Sequence, residues 1–434
     1  MVFKSTSKTT SDLALTVYNE DFAVVKEKRA FKDYNRQESV QYMDVSEMIE
    51  TDSIIIKGLE IQELNYDYDL VDKTKLLKKY IDQNVFLYDQ KENTKKEYRL
   101  LSVSHGLVLE NLKTNEIVID PKEELILPKL PEGLITKPSL IWKVKPQKVD
   151  EIDVTYTTGG LKWEANYVVH LSKETLDLTG WVLLTNNSGT TFENARLKLI
   201  AGEVNRVKDL DPVYERQMLA DSPIVYSENQ FEEKSFNDYH LYSLQGKTTL
   251  KNQQEKQISL LTATDVSYER YYEYRFEDEK ARIMIDFSNT KANQLGLPFP
   301  KGKMKVYSED EEDASLEFIG EDTINHTPKE EDIKLYLGDA FDIVCESRGS
   351  DTYKKGKHEY YEFEYVLKNQ KDEAATMIIT HPIYRKHWKM SETSHEYRKR
   401  DASHIEFEII IPANKVETIA FTYVINHSIH VIVD

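Results

Sequence analysis

Apolar residues in this chain recur at every second position, and that period leaves few folds open. In "WEANYVVHL", Trp163, Ala165, Tyr167, Val169 and Leu171 fall on one face, while Glu164, Asn166 and His170 fall on the other. Successive side chains of a strand point to opposite sides of a sheet, so such a run is a strand with one face buried. Ala195, Leu197, Leu199 and Ala201 repeat the pattern, as do Ile405, Phe407, Ile409 and Ile411, and then Ile419, Phe421, Tyr423 and Ile425. The segments "YYEFEYVLKN", "RIMIDFSN" and "GKMKVYSED" carry it too. Short alternating runs separated by turn residues predict antiparallel sheets with one wet face. The 27 tyrosines suit such pleated surfaces and their cross-strand pairs. No spacing among the rings marks out a platform for sugar.

At 434 residues the chain is long enough for two to three domains of roughly 150 residues each. With 57 Lys and Arg against 76 Asp and Glu, the formal charge is -19. A field of that sign repels nucleic acid and anionic lipid head groups, so neither is expected as a partner. Cys345 is the single cysteine, which rules out an intrachain disulfide and fits a reducing compartment. It lies in "AFDIVCES", a predicted strand, where a small buried hydrophobe is a better reading than a nucleophile. The first residues, "MVFKSTSKTTSDLALTVYNEDF", lack the apolar core of a signal peptide. No apolar run approaches the ~20 residues that span a bilayer. The expectation is a soluble, cytoplasmic protein.

Helix signals are few. "DLVDKTKLLKKYIDQNV", from Asp69 to about Val85, sets Leu70, Leu76, Leu77, Tyr80 and Ile81 near helical spacing, with lysines in its later turns. Five short alternating runs follow: "NVFLYDQ", "EYRLLSVS", "GLVLENL", "NEIVID" and "EELILP". Joined by tight polar turns, they predict a small SH3-like barrel at about 69–128. The proline-rich "LPKLPEGLITKP" is an extended connector. The resulting division is an N-terminal β region over 1–135, the first part of a β-sandwich over 136–205, a mobile crossover over 206–237 with no sustained period, and the remaining sandwich strands with a C-terminal β domain over 238–434. The acids Glu309–Asp313 in "VYSEDEEDASLEF" are predicted to tip a hairpin, since the carboxylate spacing and central glycine of a calcium loop are missing.

The chemistry spelled in the chain is sparse. G-x-S-x-G, G-x-G-x-x-G and G-x-x-x-x-G-K-[ST] are all missing, which withdraws sequence support for acyl transfer by a serine elbow, dinucleotide binding and P-loop chemistry. "HEYYE" at His358 and "HEYRK" at His395 open like a zinc-protease motif, but Glu362 and Lys399 stand where the second histidine belongs. Both segments also read as extended, which puts i and i+4 about 13 Å apart. His381, His387 and His395 are close in sequence and raise a metal site, but histidines so placed more often line a wet face or a loop. No carboxylate pair among so many acids can be singled out for glycoside chemistry. No catalytic residue, metal ligand or cofactor is assigned.

"LTGWVLLTN" is apolar on both faces, with Trp181 and Leu183 on one and Val182 and Leu184 on the other, and predicts an internal strand. "NNSG", residues 186–189, then supplies side chains that tolerate positive φ and bond to nearby backbone, so it predicts a corner rather than the floor of a site. Replacing Trp163 or Trp181 by alanine should cost about 3–5 kcal/mol if both are core aromatics.

These same residues carry a resemblance. "GGLKWEANYVVHLSKETLDLTGWVLLTNNSGTTFENARLKLIAGEVN" resembles the bacterial domain-of-unknown-function 4139 family, which includes the mucoidy inhibitor A-like proteins. "LTVYNEDFAVVKEKR", "LPKLPEGLITKPSLIWKV", "LGLPFPKGKMKVY", "LEFIGEDTINHTP" and "LYLGDAFDI" resemble further segments of that family in the same order, over about residues 13–426. The resemblance implies a β-rich architecture and transfers no catalytic residue. The expected fold is therefore mainly β: antiparallel β-sandwich domains with a small SH3-like barrel and one short helix. The expected function is that of a non-enzymatic binding or scaffold protein holding an unknown protein partner, with self-association left open. The alternative is an uncharacterised hydrolase or carbohydrate-active protein using His381, His387 or acids near the 206–237 crossover.

Overall fold

A computed structural model describes residues 2–67, 73–90, 92–104, 106–129, 131, 138–202, 204–206, 230–236, 239–310, 312–348, 351–385 and 387–426. The chain is mainly β, and one α-helix is present among the described residues, Lys73–Lys79. It divides into two compact units, the first made of 1–162, 185–198 and 246–255, the second of 163–184, 199–245 and 256–434.

The first unit holds two facing sheets. In one, Val2–Ser5, Ser39–Met43, Ser139–Val144 and Ile61–Asp67 lie side by side in that order. In the other, Thr10–Tyr18, Ala23–Ala30, Glu151–Thr158 and Ile55–Lys57 are neighbours and antiparallel throughout. Their alternating residues fill the space between: Val40, Tyr42 and Trp142 from one sheet, Leu15, Val25 and Tyr156 from the other. Residues 139–158 thus complete sheets begun by the first 67 residues.

The five short runs after the helix form a five-stranded antiparallel sheet of their own, ordered Ile117–Ile119, Val108–Asn111, Thr94–Ser102, Asn84–Asp89 and Glu124–Ile126. Tyr80, Val85, Leu87, Tyr98, Leu100 and Leu109 are its buried core. The helix is shorter than its apolar spacing predicts, and residues 68–72 lie outside the described residues. It stops at Lys79 because Asp82 adopts φ 63 and gives its backbone N–H to Leu100 O at 2.7 Å. Asn84 and Val85, expected in its last turn, are already strand.

In the second unit, Gly302–Glu309 and Leu316–Ile324 form the expected acid-tipped hairpin. A larger sandwich follows. One sheet orders Asp332–Asp339, Arg282–Ser288, Glu269–Arg275, Ala375–Pro382, His404–Ile411 and Arg398–Lys399; the other orders Ile343–Arg348, His358–Asn369, Val416–Asn426 and Trp388–Thr393. Tyr365, Leu367, Met377, Phe407, Ile419 and Phe421 pack between them. Parallel pairs also occur, a departure from pure antiparallel sheets: Val2–Ser5 with Ser39–Met43, Leu161–Leu171 with Gly302–Glu309, and Glu269–Arg275 with Ala375–Pro382.

Every apolar residue on the expected inner face of "WEANYVVHL" is buried. Trp163 donates Nε1–H to Ile200 O at 3.1 Å, so its one polar atom is satisfied. Trp181 is only half-buried, and the core cost expected for it is corrected downward. Of the predicted crossover over 206–237, residues 207–229, 237 and 238 lie outside the described residues. Its end is not loop: Phe231–Phe236 is a strand paired with Tyr239–Leu244. The missing cue was Phe231 and Phe236, which stand five apart and break the period of two.

Two corners share one hydrogen-bond scheme. Asn186 ends a strand; its Oδ1 accepts from Ser188 N, two residues on, and its Nδ2 donates to Thr190 O, Leu250 O and Lys251 O at 3.0–3.1 Å. Asn369 ends a strand; its Oδ1 accepts from Lys371 N, two residues on, and its Nδ2 donates to Glu373 O, Ile411 O and Pro412 O at 2.8–3.1 Å. In both, the next strand starts six residues after the asparagine, at Phe192 and at Ala375, and pairs that first residue with the end of another strand, Leu250 or Ile411.

Candidate functional site

The strand Ala23–Ala30 turns Ala23, Val25, Glu27 and Arg29 inward. The period that buries alanine and valine therefore carries two charged residues into the interior with them. Arg29 is 0% exposed and Glu27 is 6% exposed. Arg29 donates from Nε to Glu27 Oε2 at 2.7 Å and from Nη1 to Met43 O at 2.7 Å. Its guanidinium carbon sits 3.7 Å from the centre of the Tyr42 ring. Glu27 also accepts from the Tyr42 hydroxyl at 3.0 Å and the Tyr156 hydroxyl at 3.1 Å.

Burial works to lower the pKa of the Arg29 guanidinium and the Glu27 carboxylate works to raise it; the net shift is upward, so the guanidinium stays charged. Burial, then the Glu27 charge, pushes both tyrosine hydroxyls well above their usual range, which keeps them donors. Desolvating two charges costs several kcal/mol each, and only this set of partners offsets it. Arg29 Nη2 lies 2.6 Å from Glu27 Oε2 and is held there as an ion pair, without a hydrogen bond of its own.

Both residues line a cleft of about 620 Å³ within the first unit. Its walls come from four stretches far apart in sequence: 7–13, 44–47, 189–194, and the turn bearing Lys247 and Asn252. Asp44 reaches φ 59, and its Oδ2 accepts from Ser7 N and Ser7 Oγ, both at 3.1 Å, fixing one wall. The "NNSG" corner supplies another. Gly189 has φ +84, and a Cβ there would fall 2.3–2.7 Å from Glu47 side-chain atoms, so glycine is what lets the Glu47 side chain lie against the turn. Gly189 N donates to Asn252 Oδ1 at 3.0 Å, and Asn252 N donates to Thr191 Oγ1 at 3.1 Å. "NNSG" is a corner, as its composition predicts, and it also borders the cleft.

The charges lining this cleft fall into two groups. Asp12 pairs with Arg196, Glu27 with Arg29, and Asp44 with Ser7. The side chains of Lys8, Lys247, Glu47 and Glu193 are exposed and have no hydrogen bond or ion pair among the described residues. Thr190 and Asn194 add a hydroxyl and an amide, and Leu13 and Phe192 add apolar surface.

The residues singled out in the sequence lie elsewhere, in the second unit. His381 is buried on the strand Ala375–Pro382, with Nδ1 2.6 Å from the Tyr365 hydroxyl and Nε2 without a partner. The rings of Phe276, Phe363 and Phe421 stand 4.2–5.0 Å from its own. Burial, and then the nearby His404, lowers its pKa to about 3, so the imidazole is neutral. His387 is exposed at φ 60, and His395 is half-buried with Nδ1 2.8 Å from Ser394 Oγ. The structure does not bring the three together, and among the described residues no group of three His, Cys, Asp or Glu could hold a metal ion. Cys345 is buried, and burial together with the Glu346 charge pushes its thiol up to about 12. No family model matches the chain, and no curated protein matches it.

Proposed function

We propose that this chain is a non-enzymatic binding protein and that the cleft over Glu27 and Arg29 is where it binds. The observation that carries this reading is a charged pair placed on the inward face of a core strand and bordering a cleft. Replacing such a pair by well-packed hydrophobes is often neutral or stabilising, so its presence calls for a reason other than stability. The cleft lies within the range of about 300–1,000 Å³ that takes small ligands. The groups best suited to chemistry are poorly placed for it: the His381 imidazole is walled by rings, and the Cys345 thiol is held protonated.

The small five-stranded sheet, with its order and its own core, supports closure into an SH3-like barrel. Kinship with the domain-of-unknown-function 4139 family rests on the sequence segments alone. Two of them have a structural role: Pro298 and Pro300 of "LPFPK" accept the hydroxyls of Tyr242 and Tyr167, and "NNSG" forms a built corner. The charge and the lone cysteine support a cytoplasmic setting.

The test is native mass spectrometry of the full chain against amino acids, short peptides, polyamines and oligosaccharides. The expected result is a 1:1 adduct recovered chemically unchanged, weakened in Glu193→Lys. Conversion of any member into product favours the hydrolase or carbohydrate-active alternative, and binding by none overturns the proposal.

A further inference from the structure

The four free charges of the cleft carry a statement about its ligand, which rests on the binding reading above. They are two cations and two anions: Lys8 and Lys247, Glu47 and Glu193. A purely anionic ligand would leave two carboxylates facing it, and a purely cationic one would meet two ammonium groups. Like charges so placed in a partly desolvated cleft discriminate strongly against a wrong ligand. One further observation bears on the anionic pair: Gly189 has no Cβ, which leaves room for the Glu47 side chain to lie against the corner.

We infer that the cleft takes a short peptide with both termini free, binding it as a zwitterion. Its ammonium group is held by Glu47 and Glu193, and its carboxylate by Lys8 and Lys247. Thr190, Asn194 and Asn252 are the side chains at hand for its backbone amides. A cleft of about 620 Å³ has room for several residues, more than a single small amino acid would fill.

The experiment is calorimetric titration of the full chain at low salt with tetraalanine, N-acetyl-tetraalanine and tetraalanine amide. Free tetraalanine should bind, and capping either end should weaken binding roughly tenfold or more, the size of one lost charge-assisted contact. The paired variant Glu47→Gln/Glu193→Gln should bind free and acetylated peptide alike while still penalising the amide. Lys8→Met/Lys247→Met should do the reverse. These four side chains are exposed, so folding is expected to survive, and circular dichroism checks it. Capped peptides binding as tightly as free ones would overturn the inference, as would charge variants that leave the capping penalties unchanged. If tetraalanine fails while a sugar or polyamine binds in the cleft, the zwitterion is wrong and the binding reading stands. If nothing binds, both fall.

Discussion

Asn186 and Asn369 close two corners built to one plan, and the first lies beside the cleft over Glu27 and Arg29. Each asparagine accepts from the backbone N–H two residues on and shares its amide hydrogens among three carbonyls. The left-handed residue of the partner turn also recurs, three positions after the paired strand ends: Gln253 at φ 55 follows Leu250, and Asn414 at φ 56 follows Ile411. The difference lies three residues past each asparagine. There the first corner has Gly189, with the Glu47 side chain packed where its Cβ would be; the second has Asp372, which accepts from Asn414 Nδ2 at 2.9 Å and closes the corner on itself. The asparagine is thus a device of the fold, and the glycine is what lets one copy of it pack against Glu47 beside the cleft.

The two regions also bury polar groups differently. The first unit buries a charged pair and surrounds it with donors. The second buries a neutral imidazole among rings, with one hydroxyl contact. A charge in the interior needs several partners, whereas a neutral ring nitrogen survives with one at smaller cost.

The largest expected effect sharpens that contrast. Arg29→Met strands the Glu27 carboxylate and should cost about 3–5 kcal/mol in urea melts followed through Trp142, which stacks on Tyr42. A loss within experimental error would mean that the pair is not buried as described. Next come the corners. Asn186→Ala and Asn369→Ala each leave several buried carbonyls unpaired and should each cost roughly 2–4 kcal/mol. Markedly unequal losses would break the claim of a shared plan.

The most gradual effect, and the smallest over any single pH unit, is one of pH. His381 is lowered to about 3 in the fold, against an ordinary value of 6.5. Below 6.5 the unfolded chain takes up a proton that the folded chain refuses, so stability falls as pH falls, by at most about 1.4 kcal/mol per unit down to about 3. His381→Gln should flatten this slope in the second unit and leave Arg29→Met melts unaffected in their pH profile. A slope unchanged by His381→Gln would place the acid sensitivity elsewhere.

Much of the architecture was legible because strands announce themselves locally. The inward residues of "WEANYVVHL" and of the last two strands are buried as their alternation requires. The helix was overread because apolar spacing carries through Tyr80 and Ile81, whereas the chain is ended by backbone geometry at Asp82. Trp181 was overread because a strand apolar on both faces does not say how completely each face is covered. The cleft was not legible, since its four walls come together only in the folded chain. One signal for it did exist. In "AVVKEKRAF" the inward phase runs Ala23, Val25, Glu27, Arg29, Phe31, and two charges inside an otherwise buried phase mark a place where packing alone does not explain the sequence.

The most direct test of a site at one corner and not the other is amide hydrogen exchange of the full chain with and without tetraalanine. The expected result is added protection in peptides covering 44–47, 189–194 and 247–252, with none at 369–375 or 411–415. Protection at the Asn369 corner, at both corners alike, or at neither would contradict it.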